Sequence, residues 1–404
     1  MSRIVKTNPE SNAAVDWARR QNQALRILAG FEIALIAATF PLWTGRHSFP
    51  VIPLIAGISL PAIVDHGVVC ILLAVCVYIV AAFKKSRWDI IICTVGLTAA
   101  IVLFILNQHR LQAWHWLFIL GLTTSFVRPE NGLKLMRSVL ASVYVCSALS
   151  RFGPTVHHGM SAAIVEQLLR ILHINPEIAA GPIGEVLCHA LNVAELAVGI
   201  LLILPGMRRY GILSAMLLHG TLLLALGPFG LRHHWGVLIW NVCFLYLVPV
   251  VFAGPGKGLK SAGRNSDWGN RIATTLVWLF PLSGLVGIAD NWPAWQLYST
   301  RPESWTLQIH QQDLPKLPER VRPHVTSASP FEDFIFVKLD RWSLAETGSP
   351  MYPERRFQRE VIRQVLSEFS DTDEFRVIIS EPERRRWWHR VNRTLSTREE
   401  LMAE

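Results

Sequence analysis

GVVCILLAVCVYIVAAF (Gly67–Phe83) and IIICTVGLTAAIVLFIL (Ile90–Leu106) are two runs of 17 residues without a charged side chain, and only Lys84, Lys85, Ser86, Arg87, Trp88 and Asp89 separate them. A hydrocarbon core of roughly 30 Å asks for about 20 mostly apolar residues in a helix. A helix is also the form in which a single segment satisfies its own backbone hydrogen bonds in lipid. The pair therefore reads as two membrane helices joined by a short basic turn. Outward from it, further spans read Ile27–Trp43, Val186–Leu204, Gly211–Leu226, Gly236–Phe252 and Ile272–Ala289. Trp114–Val127 and Ser138–Phe152 are shorter, which suits tilted or partly inserted segments. The expected fold class is an all-α polytopic membrane bundle of about nine transmembrane helices.

Basic residues orient it. With the N-terminal tail inside, the inner segments carry 17 Lys and Arg and the outer loops five, namely Arg46, Arg110, Arg151, Arg170 and Arg232. Cytoplasmic loops are the basic ones, so the N-terminus is expected in the cytoplasm and the C-terminus outside it. Residues 1–289 carry +11 and residues 290–404 carry −2 of the net +9. The positive excess thus lies beside the anionic inner leaflet, and no nucleic-acid partner is expected. The expected location is the cell (inner) membrane.

Residues 1–26 form a polar tail ending in Arg26, and the following apolar stretch ends Phe40-Pro41-Leu42-Trp43 without a small-residue cleavage site. That pattern is an uncleaved first helix rather than a signal peptide. Cys70, Cys76, Cys93, Cys146, Cys188 and Cys243 all lie in or at the edge of spans with no C-x-x-C, so they read as small core residues. Between Gly159 and Ile174, Met160, Ile164, Val165, Leu168, Leu169, Leu172 and Ile174 share one helical face, ended by Asn175-Pro176. Such a helix lies in the interface plane or caps an outward cavity.

The chain divides into a tail (1–26), a membrane domain (27–289) and a C-terminal extramembrane module (290–404). Asp290-Asn291-Trp292-Pro293-Ala294-Trp295 marks the boundary as an interfacial aromatic anchor with a helix stop. Strand-like runs Trp305–His310, Phe334–Leu339 and Phe375–Ile379 follow, with a helical pattern over Arg355–Phe369. A small α+β module that leans on the membrane part is expected.

Ionisable groups within spans are costly and mark sites. Glu185, His189, Asn192 and Glu195 recur at i, i+4, i+7 and i+10 along one helix, so one face of it is polar. His219 lies in the middle of its span, Asn241 in the next, and Glu32 just inside the first. Two readings of the cluster stand side by side: a polar cavity with His219, His189 and Glu195 as acid–base candidates, or interhelical structural hydrogen bonds. The short turn at residues 205–210 sets Glu195 level with His219 on the neighbouring span, with His189 one to two turns nearer the mouth. Glu32, near the interface, reads as a snorkelling side chain. His47, His66, His109, His115, His157, His158, His233 and His234 are assigned outside. The adjacent pairs point in different directions and lack the spaced ligands of a zinc site, so no metal is expected. Arg384-Arg385-Arg386-Trp387-Trp388-His389-Arg390 reads as a solvated face or a headgroup contact.

Val143-Tyr144-Val145-Cys146-Ser147-Ala148-Leu149-Ser150-Arg151-Phe152, the run from Glu195 to Arg209, Leu218-His219, Gly227-Pro228-Phe229-Gly230 and Trp240-Asn241 resemble segments of the vitamin K-dependent γ-carboxylase-like HTTM superfamily, grouped broadly with DoxX-like membrane proteins. The resemblance covers about residues 20–290. It implies a carboxylase whose motif lysine is the base, but Arg151 stands at that position and its guanidinium stays protonated. The implied protein is a non-carboxylating relative. It would bind a lipid-like or quinone-like ligand (a quinone or an isoprenoid lipid as cofactor) through Arg151, Glu185, His189, Asn192, Glu195, His219 and Asn241. Two alternatives remain: a membrane enzyme using His219 and Glu195, or an anchor whose outer module recruits an extracytoplasmic protein partner.

Overall fold

The computed structural model describes residues 9–153, 159–254, 267–327, 333–370, 373–383 and 389–404. His157, His158, Arg3, Lys6, Lys257, Lys260, Arg264 and Arg384–Trp388, which entered the readings above, lie outside them.

The protein is mostly helical. Six helices among the described residues are long and apolar enough to cross a membrane: α3 (Ala62–Ala82), α4 (Arg87–Leu106), α6 (Pro129–Arg151), α8 (Pro182–Ile203), α9 (Arg208–Leu226) and α10 (Trp235–Phe252). The other three expected spans take different forms. The first belongs to α1 (Pro9–Ala38), which starts far upstream of Ile27 and stops where Thr39 Oγ1 bonds Leu35 O and Pro41 opens the short α2 (Phe40–Thr44). Proline supplies no N–H and crowds the preceding turn, which divides the expected run in two. The second is α5 (Ala113–Thr123), 11 residues and nearly all buried. The third is α11 (Asp267–Gly284), which ends before Ala289.

The α3–α4 hairpin turns through Lys85, whose φ is 67°, and Ser86 and Asp89 cap α4 reciprocally. Buried residues fill α6 along most of its length, whereas α3, α4, α8 and α9 leave large apolar side chains such as Ile63, Val77, Ile91, Val186, Leu213 and Leu217 uncovered. So extensive an apolar surface suits lipid rather than water. α6 is the axis, packed by α1, α8 and α11. A Cβ on Gly199 of α8 would fall 2.7 Å from Val145 Cγ2 and 3.1 Å from Tyr144 Cβ, so glycine sets the close approach of α8 to α6. The amphipathic α7 (Met160–Ile171) buries Ile164 against Ala225, Leu226 and Leu238 and buries Val165 and Leu169 against Ala179 and Cys188. It thus lies across the ends of α8, α9 and α10.

The C-terminal region is an antiparallel five-stranded sheet of order β2-β3-β1-β4-β5, formed by β1 (Ser304–His310), β2 (Val325–Ser327), β3 (Phe334–Val337), β4 (Phe375–Pro382) and β5 (Arg390–Leu395). The third expected strand, Phe334–Leu339, ends at Val337, because Leu339 opens α12 (Leu339–Thr347). The expected helix is α13 (Arg355–Val365), which buries Phe357, Val361, Ile362 and Val365, and α14 (Arg398–Ala403) closes the chain. Arg390 bonds Thr300 O at 2.6 Å, Pro302 O at 2.9 Å and Ser380 O at 2.6 Å, so this arginine ties β5 to β4 and to the segment that leads into β1.

This module rests on the end of the bundle. Arg356 grips Asp290 with both Nη atoms and donates from Nε to Gln108 Oε1 at 2.7 Å. Tyr352 donates to Asp290 at 2.7 Å, Phe49 lies 4.8 Å from the Trp342 ring, and His109 Nε2 meets Pro350 O at 2.7 Å.

Candidate functional site

The polar groups gather along the second half of α6. Its buried interior presents Tyr144, Ser147 and Arg151, spaced about one or two turns apart on neighbouring faces. The side chains that meet them come from α8, α9 and α10, which the short turns after Ile203 and Leu226 bring alongside.

Arg151 forms an ion pair with Glu195, 13 % and 11 % exposed at the side chain respectively. Its Nε and Nη2 also donate to Ser147 O at 3.2 Å and Ser147 Oγ at 2.8 Å. Neither Nη1 proton has an acceptor among the described residues. Asn192, fully buried, reaches Arg151 O at 3.4 Å and Ser161 of α7 at 3.5 Å. The His189 ring stacks on Phe152 at 6.0 Å with an interplanar angle of 9°. Glu185, a turn further out, is exposed. Ser299 Oγ donates to Ser150 O at 2.9 Å, so the start of the C-terminal region closes on the same helix end.

His219 is buried in a separate chain of hydrogen bonds. Its Nε2 lies 2.8 Å from Tyr144 Oη and its Nδ1 lies 2.8 Å from Asn241 Oδ1, while Asn241 Nδ2 donates to Val237 O at 2.8 Å. The amide's donor is thereby committed, so Oδ1 accepts from Nδ1–H. In a neutral ring Nε2 is then the acceptor and the Tyr144 hydroxyl donates to it. The Phe244 ring sits 4.9 Å from the imidazole.

Glu195 of α8 and His219 of α9, expected level with each other, both meet residues of α6 but form no direct pair. Glu195 goes to Arg151, and both His219 nitrogens go to Tyr144 and Asn241. Arg151 lies seven residues from Tyr144, about 10 Å along the axis of α6. The long guanidinium outcompetes histidine because it brings a permanent charge and several donors.

A second correction concerns Glu32 and His115. Glu32 is not at the edge but 1 % exposed, and His115 is not outside but fully enclosed. His115 Nδ1 lies 2.5 Å from Glu32 Oε1, walled by Trp43 at 5.1 Å and Phe118 at 6.5 Å. Tyr144 and His115 are hard to single out from sequence for different reasons: a tyrosine in a span raises no alarm, and His115, at the outer start of the expected span Trp114–Val127, groups with the outside histidines. The pattern Trp114-His115-Trp116, a titratable ring between indoles in an apolar run, was the available signal.

Comparisons with protein-family models, with curated proteins and with solved structures return no match.

Proposed function

We propose that this multi-pass membrane protein binds a lipid-like or quinone-like ligand beside the Arg151–Glu195 end of α6, and that it does so without catalysing carboxylation. The observation that carries the reading is the uncommitted half of the Arg151 guanidinium. Two charge-assisted donors stand at the edge of a buried polar cluster, next to the flat Phe152–His189 stack. A carbonyl, carboxylate or quinone oxygen is the acceptor that such donors fit, and the stacked rings give a planar or isoprenoid body an apolar wall. Binding is favoured over acid–base chemistry because Glu195 is already paired with a cation and both His219 nitrogens are engaged. The likeness to the γ-carboxylase-like superfamily agrees with a ligand of this kind, and Arg151 in place of its lysine agrees with the absence of the proton-abstracting step.

Connectivity supports a nine-pass path, N-terminus in the cytoplasm and C-terminal module outside. Lys85, in the basic turn assigned inside, donates to Val127 O at 2.6 Å and to Gln21 at 2.7 Å. The other end of α5 follows Gln108 and His109, which touch Arg356 and Pro350 of the module. The short α5 and its flanks therefore join the two sides. A reporter active only outside the cytoplasm, fused after Glu404, is expected to be active, and one placed among residues 257–264 silent. The reverse pattern would overturn the orientation.

The ligand itself is tested by native mass spectrometry and lipid extraction of the purified full chain. A stoichiometric quinone or isoprenoid is expected, depleted about tenfold in Arg151→Gln, the loss of roughly one charge-assisted hydrogen bond. Bare protein with a co-purifying polypeptide points instead to an anchor that recruits an extracytoplasmic partner.

A further inference from the structure

At the opposite end of α6 lies a cavity of about 310 Å³, within the size range of small-molecule sites. Arg137 and Arg208 face it, Lys134 stands at its rim, Trp17 and Trp278 form walls, and Leu202 is part of its apolar lining. Among the described residues no acidic side chain lines it. Arg137 is 8 % exposed, spends its Nε on Val251 O at 2.8 Å, and lies 4.9 Å from the Trp17 ring. Neither of its Nη atoms has a hydrogen-bond partner among the described residues. Arg208 Nε and Nη1 are buried and unpartnered. Lys134 alone has a carboxylate, Glu130 at 2.7 Å.

Two guanidinium groups sharing a recess without a counter-ion is an expensive arrangement, since a buried charge asks for a partner. An anion supplies it. Planar guanidinium forks match phosphate oxygens, and the indoles and Leu202 offer an apolar flank beside them. Indoles at this level are typical of the membrane interface. The cations belong to the segments assigned to the cytoplasmic side, where anionic lipid is concentrated. We infer that this cavity is a binding site for the phosphate headgroup of an anionic lipid, held by Arg137 and Arg208. It is distinct from the Arg151 site, which lies 14 residues or about 21 Å away along α6 and fits a different ligand class.

The test uses the full-length protein in nanodiscs of phosphatidylcholine doped with phosphatidic acid, followed by delipidation and native mass spectrometry. Wild type is expected to retain one phosphatidic acid, with retention about tenfold weaker in Arg208→Gln and in Arg137→Gln. Arg151→Gln is expected to retain it fully. Should the Gln variants fail to fold, wild type alone decides, by preference for phosphatidic acid over diacylglycerol, which lacks only the phosphate. Equal retention of the two lipids, or undiminished retention in folded Gln variants, overturns the inference. So does thermal stabilisation by inorganic phosphate with no phosphatidic acid retained, which assigns the cavity to a soluble phosphate.

Discussion

At the scale of single residues, the hydrogen-bond partners of the buried polar groups decide what each substitution does. Glu32 and His115 are the deepest pair, both essentially inaccessible. Glu32→Gln keeps an oxygen acceptor and an amide of the same size, so a small loss of stability is expected. Glu32→Leu leaves the His115 nitrogen without its acceptor, at a cost of about 1–3 kcal/mol for a buried unsatisfied group. Melting curves of the two variants in one detergent check this, and equal melting temperatures would remove the pair from the list of structural determinants. The same logic separates Tyr144 from Asn241. Tyr144→Phe strips one hydrogen bond from His219, whereas Asn241→Leu removes the acceptor that fixes the tautomer of the ring. The asparagine variant is therefore expected to be the less stable.

At the scale of elements, the approach of α8 to α6 carries the Arg151–Glu195 pair. Gly199 lies one turn beyond Glu195 on α8 and faces Val145 and Tyr144, so a branched side chain there wedges the helices apart. Gly199→Val is expected to destabilise by about 1–3 kcal/mol, the usual cost of overpacking, and to reduce ligand retention at Arg151. Gly199→Ala, whose single methyl would press on Val145 Cγ2 and, less closely, on Tyr144 Cβ and Val145 N, is expected to do less of both, and melting temperature with retained ligand measures it. The sequence is most readable where α3, α4, α8, α9 and α10 carry continuous apolar runs bounded by charge, since lipid leaves such a run few alternatives. α1 is less readable, because helix formers such as Ala24, Leu25 and Arg26 carry the helix back through polar residues that no lipid criterion recognises. β2 and β5 escape notice because a three-residue edge strand, and one reading Arg-Val-Asn-Arg-Thr-Leu, bury little. The site shows the same division. Cost in lipid picks out Glu195, His219 and Asn241, but partner choice depends on the rotation of α6, and Tyr144 and Ser147 are unremarkable residues in a span. Arg137 and Arg208 were legible only as charges that orient the chain, because the recess they share is made by four other helices.

At the scale of the whole molecule, the C-terminal module and the bundle meet across a junction that titrates. Burial holds His109 down to about 4, and it presents Nε2 to Pro350 O while its Nδ1 has no partner. His47, close by, is also lowered by burial. Both imidazoles are thus favoured neutral when the module is docked. Between the ordinary histidine value of about 6.5 and the lowered one, the unfolded chain binds more protons than the native one, so stability rises with pH across that window. It is complete above about pH 6.5 and is lost on acidification toward about pH 4, with His109 contributing on the order of 3 kcal/mol. Glu354 works in the opposite sense. Burial, and then Asp290, raise its carboxyl, so its proton is bound more tightly in the docked state and acid favours docking there. That opposing window runs upward from the ordinary carboxyl value to the raised one, so it offsets part of the histidine loss on acidification. Net loosening is therefore expected first on acidification from about pH 6.5 toward the carboxyl range, where the histidine protons begin to bind. Hydrogen exchange over residues 339–365 and 107–112, followed against pH in the detergent-solubilised full chain, should show protection falling in that interval. His109→Gln, which retains a donor for Pro350 O and cannot titrate, should flatten the profile, leaving the smaller His47 contribution. An unchanged profile in His109→Gln would place the acid sensitivity elsewhere than at this contact.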